Sequence, residues 1–254
     1  MTSDVHSIDL HCEVRTRQRE GAADKRGDCA FARLEALALL GAIALLTLVA
    51  LPLPAGNRLR SDRVVCANNL RQISAAMQLW ANDHGDLFPQ EVAVSDGGTS
   101  MHPLAVNVWL HFSWISNELG SAQVLFCPSD QGRPARDFSA DPTGGYLNPN
   151  FANRSTSYLL SHARQFQPTD LLAADRNVGS DQATGCSRFR SARGVILQQP
   201  PPLSSRFEWT PELHNGGGNL LLFDGRVVEV PTGGLRAYYS PLAGEGPFHF
   251  IAPR

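Results

Sequence analysis

The sequence predicts an α+β protein in which a long N-terminal helix, transmembrane in its first half and amphipathic in its second, packs on an antiparallel β-sheet head. Three observations carry this expectation. Ala36–Leu53 is uncharged and almost wholly apolar, close to the roughly 18–20 residues that cross a bilayer as a helix. Cys66, Leu70, Ile73, Met77 and Trp80 then recur at alternating spacings of four and three, which lines one face of a helix. After Gly85, short apolar runs alternate with Gly, Pro, Asn, Asp and Ser, the texture of strands and turns.

Taken in order, residues 1–30 read as a polar leader. Residues 31–56 read as the apolar helix, interrupted near Pro52, Pro54 and Gly56. Residues 57–84 read as the amphipathic helix, strongest over Ser61–Asp83 and ended by His84, Gly85 and Pro89. The head, 85–254, holds a short helix over Ala105–Leu119. Its strands are expected at Gln123–Cys127, Ser157–His162, Leu171–Ala174, Val195–Gln198, Asn219–Phe223 and Arg226–Val230. Asp130–Asn150, Asn177–Ser187 and the proline-rich Gln198–Ser205 read as loops. Asp224-Gly225, lying between two apolar runs, predicts a two-residue type I′ hairpin turn, which needs positive φ at both central positions.

Composition narrows the function classes. The chain has 254 residues and a formal net charge of −2. No basic patch follows the apolar run, which argues against nucleic acid as a partner. Of the five cysteines, Cys12 and Cys29 fall in the leader. Cys66, Cys127 and Cys186 remain, so one pair can oxidise and leave one free thiol, with the pairing open. No C-x-x-C or H-E-x-x-H spacing points to zinc. Arg17, Arg19, Lys25, Arg26 and Arg33 precede the apolar run, whereas Arg58, Arg60 and Arg63 follow it. That bias places the N-terminal side in the cytoplasm and the head outside a cytoplasmic (inner) membrane.

Glu35 stands at the mouth of the apolar run. A carboxylate at membrane depth costs a few kcal/mol unless paired, so it marks a functional position. Glu35 follows Phe31 by four residues and Pro52 follows it by twenty-one. This register resembles the N-terminus of type IV prepilins and type II secretion pseudopilins, and so implies a pilin-like fold. The resemblance implies that a prepilin peptidase cuts between Ala30 and Phe31 and that the new terminal Phe is methylated. It also implies that Glu35 neutralises the terminal amine of a neighbouring subunit. The chain departs from that pattern at Ala30, where the family usually has Gly, and at Arg33, in a stretch usually uncharged. Two other readings of the segment stay open: a plain single-pass anchor, and a secretory signal peptide cut near Ala55.

Further motifs extend the resemblance. CANNLRQISAAMQLWANDHGDLFP, the tetrapeptide Cys127-Pro128-Ser129-Asp130, and His214 followed after nine residues by Asp224-Gly225 occur here in this order. The set is similar to a large group of prepilin-like proteins with a C-terminal H-x9-D-G motif, often called the DUF1559 family. The implied function is a structural subunit of a type II secretion pseudopilus or related surface fibre, with other pilin-like subunits and the membrane as partners. The alternative is a membrane-tethered domain that binds a ligand or partner and does not polymerise.

Little in the sequence points to an enzyme or a cofactor. His214 with Asp224 gives too few ligands for a metal site, so the His is expected to fix the glycine loop by a hydrogen bond. Calcium is the one cation weighed for the head, through Asp130, Asp137, Asp141 and Asp175 in or beside loops, although no EF-hand spacing is present. No G-x-S-x-G elbow accompanies Ser129, His162 and His214.

Overall fold

A computed structural model describes residues 26–50, 55–162, 168–180, 183–184, 194–198, 207–238 and 249–253. The chain divides into two compact units, Met1–Pro52 and Leu53–Arg254.

The first unit contributes helix α1, Arg26–Ala50. It begins before the expected cleavage junction, so Ala30 and Phe31 both lie within it. Its large apolar side chains are open to solvent, from Leu37 at 66% to Leu48 at 69%. Among the described residues no helix is long and apolar enough to cross a membrane. This corrects the expected transmembrane helix, and with it the single-pass placement in the inner membrane. The physical reason is in the helix itself. Arg26, Asp28, Arg33 and Glu35 occupy its N-terminal part, and among the described residues its uncharged part is Ala36–Ala50. Fifteen or so helical residues span ~22 Å at about 1.5 Å each, short of the roughly 30 Å of hydrocarbon.

Helix α2, Ala55–Asn82, opens the second unit. Its expected stripe is its buried face: Cys66, Leu70, Ile73 and Met77 are fully buried and Trp80 nearly so. Gly85 and Asp86 adopt positive φ just beyond its end and reverse the chain. The expected helix at 105–119 is two short ones, α3 (Val108–Trp114) and α4 (Ser116–Leu119), broken at Ile115. The expected strand Gln123–Cys127 is instead a 3-10 turn over Ala122–Leu125, whose N-terminus is capped by Ser121.

The described strands are β1 (Tyr158–His162), β2 (Leu171–Asp175), β3 (Val178–Ser180), β4 (Ala183–Thr184), β5 (Gly194–Gln198), β6 (Phe207–Trp209), β7 (Gly218–Leu222), β8 (Val227–Val230) and β9 (His249–Pro253). Seven strands run in the order β4-β5-β9-β1-β2-β7-β8, with β3-β6 as a separate pair, and every pairing of these strands is antiparallel. β3 and β4 lie within the stretch expected to be loop.

Two hydrophobic layers cover the sheet. Tyr158 and Leu160 face the α2 layer, and Leu159 between them faces the other. In β2 the alternation slips. Leu172 and Ala173 both face the α2 layer, and a register irregularity against β7 lies between Leu171 and Ala173. A β-bulge resets the facing of every later residue. It thereby places Asp175 on the same side as α2.

The last hairpin differs from the expected two-residue turn. Gly225 N–H donates to Leu222 O at 3.0 Å, so Phe223 and Asp224 are the central residues. Gly225 follows them at φ +86°, while Asp224 is not left-handed. This is the three-residue loop closed by a left-handed glycine. A Cβ at Gly225 would also lie 3.3 Å from Ser74 Oγ and Gln78 Nε2 of α2. Gly225→Val is therefore expected to cost about 2 kcal/mol or more, through backbone strain plus crowding against α2. Thermal melts check this, with Gly225→Asn expected to cost far less.

Candidate functional site

Between α2 and the sheet lies a buried polar centre. Cys66, the first residue of the α2 stripe, is disulfide-bonded to Cys127, with Cα atoms 5.3 Å apart. Cys127 Sγ is 3.4 Å from His214 Nε2. The same nitrogen is 3.4 Å from Asp175 Oδ2, and both side chains have no solvent exposure. Asn219, on β7, holds Asp175 by donating to Oδ2 from its backbone N–H at 2.7 Å and from Nδ2 at 3.0 Å. Its Nδ2 also reaches Arg63 O on α2. Arg63 itself donates to Gly218 O and Val230 O, tying α2 to β7 and β8.

The glycine-rich loop is what delivers the histidine. His214 and Asn215 adopt φ of +50° and +54°, and Gly216 continues at +85°. Left-handed backbone at three successive positions is costly for the two residues that carry a Cβ, although Asn and His are among those that tolerate it best. Gly218 serves a different need, because a Cβ there would sit 2.5 Å from the Trp209 ring. Asn177 clamps the loop, donating to Leu213 O and Gly217 O.

Burial sets the electrostatics. Asp175 is pushed up to about 7, chiefly by loss of solvation, against the pull of the two Asn219 hydrogen bonds. His214 is pushed down to about 4, again chiefly by burial and then by the nearby Arg63 charge. The 3.4 Å contact has the geometry of an ion pair, but both shifts disfavour charge. With an interior this dry and Arg63 close to the ring, a neutral imidazole is the stable form. Among the described residues, Asp175 Oδ1 and His214 Nδ1 have no hydrogen-bond partner.

The Cys-Pro-Ser-Asp segment is anchored at both ends. Cys127 N–H donates to Ser157 Oγ, and Ser157 Oγ–H donates to Asp130 Oδ2 at 2.7 Å. Arg176 grips Asp130 with two bonds of 2.7 Å; burial, the largest single influence, pushes that carboxyl up, but the Arg176 bonds and charge with the Ser157 and Gly132 bonds together hold it below its ordinary range. Ser129 Oγ reaches Asp62 on α2.

The four aspartates weighed for calcium have separate partners. Asp130 takes Arg176, Asp175 takes Asn219 and His214, and Asp137 and Asp141 close local turns onto Ser139 and Thr143. Asp224 pairs with Arg226, through Nε at 2.7 Å and its backbone N–H, and not with His214. Glu35 is exposed on α1. The side chains of Ala30, Phe31 and His162 lie outside the described residues, as does Pro52. What sequence reasoning missed is the set that does surround His214: Asp175, Asn219, Arg63 and the cystine. The signals were slight. One was an Asp closing the apolar run Leu171–Asp175, and another an Asn opening Gly218–Leu222.

A hollow of about 580 Å³ is lined by Trp109, Trp114, Phe138 and Leu147, together with His102. The Asp130–Arg176 pair borders a smaller one of about 240 Å³ with Arg133 and Arg154. No protein-family model, curated protein or solved structure matches the chain.

Proposed function

We propose that this chain is a pilin-like structural subunit, in which a cross-linked head is carried on a helix that assembles with the same helix of further copies. The observation that carries this reading is the surface of α1. Leu37, Leu39, Leu40, Ile43, Leu45, Leu46 and Leu48 are each between 55% and 69% exposed. They point to all sides of the helix, a pattern that suits burial on every side rather than one apolar stripe. Covering such side chains gains about 1.5–3 kcal/mol each. The polar centre of the head supports the same reading, because His214 and Asp175 are sealed from solvent and hold elements together instead of facing a substrate.

Leu40→Gln with Ile43→Gln and Leu46→Gln is expected to convert multimers of the full chain to monomers, with the melting of the head unchanged. Light scattering and chemical crosslinking read this. Glu35→Ala is expected to reduce ordered assembly, since the carboxylate lies where the apolar surface begins. A wild-type chain that stays monomeric over the accessible concentration range overturns the reading.

A further inference from the structure

The cystine and the histidine carry a consequence independent of assembly. We propose that Cys66, Cys127 and His214, with Asp175 as fourth donor, bind a zinc ion when the disulfide is reduced, so that disulfide and metal are alternative staples at one centre.

The geometry comes first. Cys66 Sγ, Cys127 Sγ and one His214 ring nitrogen all lie within 4.8 Å of one another, and all three residues are buried. In a tetrahedral zinc site, ligand bonds of roughly 2.0–2.3 Å put neighbouring donors about 3.3–3.8 Å apart. The Cys127 Sγ–His214 Nε2 and His214 Nε2–Asp175 Oδ2 separations are both 3.4 Å. The donors come from four separate parts of the chain. Cys66 rides on α2, Cys127 on the loop after the 3-10 turn, Asp175 on β2, and His214 on the glycine loop.

Two further features point to a cation. His214 is held inward by left-handed backbone at residues 214–216, and a fold that needed only loop closure would not require that ring at the cystine. Asp175 is fully buried and its Oδ1 has no hydrogen-bond partner among the described residues. Asn219 orients its other oxygen, the kind of outer support that metal-binding side chains receive. A sealed site needs a fourth protein donor, because no open position faces solvent, and Asp175 is the carboxylate in contact with the ring. Charge also closes. Zn²⁺ with two thiolates and one carboxylate leaves one negative charge, and the Arg63 guanidinium acts on both Asp175 and His214.

The chemistry balances with a dithiol as reductant. It gives two electrons and two protons to the S–S bond, becomes a disulfide itself, and leaves thiols at Cys66 and Cys127. Zinc then displaces one proton from each thiol, and the carboxyl proton where Asp175 carries one, and takes the lone pair of Nε2 from neutral His214. A disulfide oxidant would reverse this by thiol–disulfide exchange, taking up two electrons and two protons to become a dithiol while Cys66 and Cys127 re-form the cystine and the metal is expelled.

The test uses the full chain with Cys12→Ser, Cys29→Ser and Cys186→Ser, so that only the paired cysteines report. The chain is reduced with a phosphine under nitrogen, with denaturant until two thiols per chain are counted. Reductant and denaturant are removed, and Co²⁺ is titrated in. The expected result is one Co²⁺ per reduced chain, with the intense visible bands of four-coordinate cobalt and sulfur-to-cobalt charge transfer. One equivalent of Zn²⁺ bleaches them. The oxidised chain shows no such binding. His214→Ala is expected to weaken binding at least tenfold, and Asp175→Asn to weaken it while the spectrum stays four-coordinate. If the reduced chain refolds poorly without metal, Zn²⁺ is expected to restore the circular dichroism of the oxidised chain. Three results overturn the proposal: no binding by a folded reduced chain, six-coordinate cobalt bands, or zinc that fails to restore the fold. Unchanged affinity in Asp175→Asn removes Asp175 from the ligand set.

Discussion

Cys127→Ser is expected to lower the stability of the head by about 4 kcal/mol, a large share of a typical domain's margin of roughly 5–15 kcal/mol. The bridge joins residues 61 apart in sequence. Closing a loop of that size in the unfolded chain removes about 4 kcal/mol of conformational freedom at room temperature, on the chain-entropy account. The loss should concentrate where the bridge does its work. Cys127 ends the segment that also carries Asp130 and its Arg176 pair, and Cys66 is fully buried on α2. Without the bridge, the 3-10 turn and the loop that follows it are held to α2 by Asn69 Nδ2 to Phe126 O and by Ser129 to Asp62. Denaturant midpoints of wild type, Cys127→Ser and Cys66→Ser with Cys127→Ser measure the effect in metal-free buffer. The single and double variants should agree, since either change removes the same cross-link. Identical midpoints for wild type and the double variant would mean that the bond does not form.

The parts legible in the sequence are those with a local physical signal. The α2 face follows from a 3.5-residue recurrence of apolar side chains. Strands at Leu171–Asp175 and Gly218–Leu222 are apolar runs bounded by turn residues, and both are fully buried. The turn at Asp224-Gly225 was visible as a place but not as a type, because the choice depends on how Leu222 and Arg226 pair across the hairpin. The candidate centre was not legible. Cys127 and His214 are separated by 87 residues and Asn219 and Asp175 by 44, and no periodicity links them. Their meeting depends on the bulge in β2, which turns Asp175 toward α2. The apolar run before Pro52 misled for the opposite reason. Its local signal is strong, but among the described residues the uncharged part of α1 is Ala36–Ala50, and no described helix is long and apolar enough to cross a membrane.

Asp175→Asn is expected to stabilise the protein above pH 7 and to uncover a rise of stability with pH between about 4 and 6.5. In the folded chain Asp175 titrates at about 7 instead of its ordinary 3.8 because it is buried. The folded state therefore holds a proton that the unfolded state has released between those values. By linkage, the stability this group confers is fully present below about pH 4 and is lost as pH rises through 7. His214 works in the other direction. Its folded value near 4 lies below the ordinary 6.5, so its contribution is present above about pH 6.5 and is lost as pH falls toward 4. Over roughly pH 4–6.5 the two slopes oppose, and the wild-type centre contributes little net pH dependence. Asparagine has the same shape and keeps an oxygen to accept both Asn219 bonds, but it has no charge to bury. Removing the carboxylate leaves the His214 slope alone, so the variant gains stability steadily from pH 4 to 6.5. Above pH 7 it escapes a burial cost on the order of 4 kcal/mol, at ~1.4 kcal/mol per unit of displacement. Denaturant melts at half-unit steps from pH 4 to 8 test the pair of statements. A variant that is less stable than wild type at pH 8 would show that Asp175 is ionised and paired with a protonated His214, with the ion pair outweighing the cost of burying it.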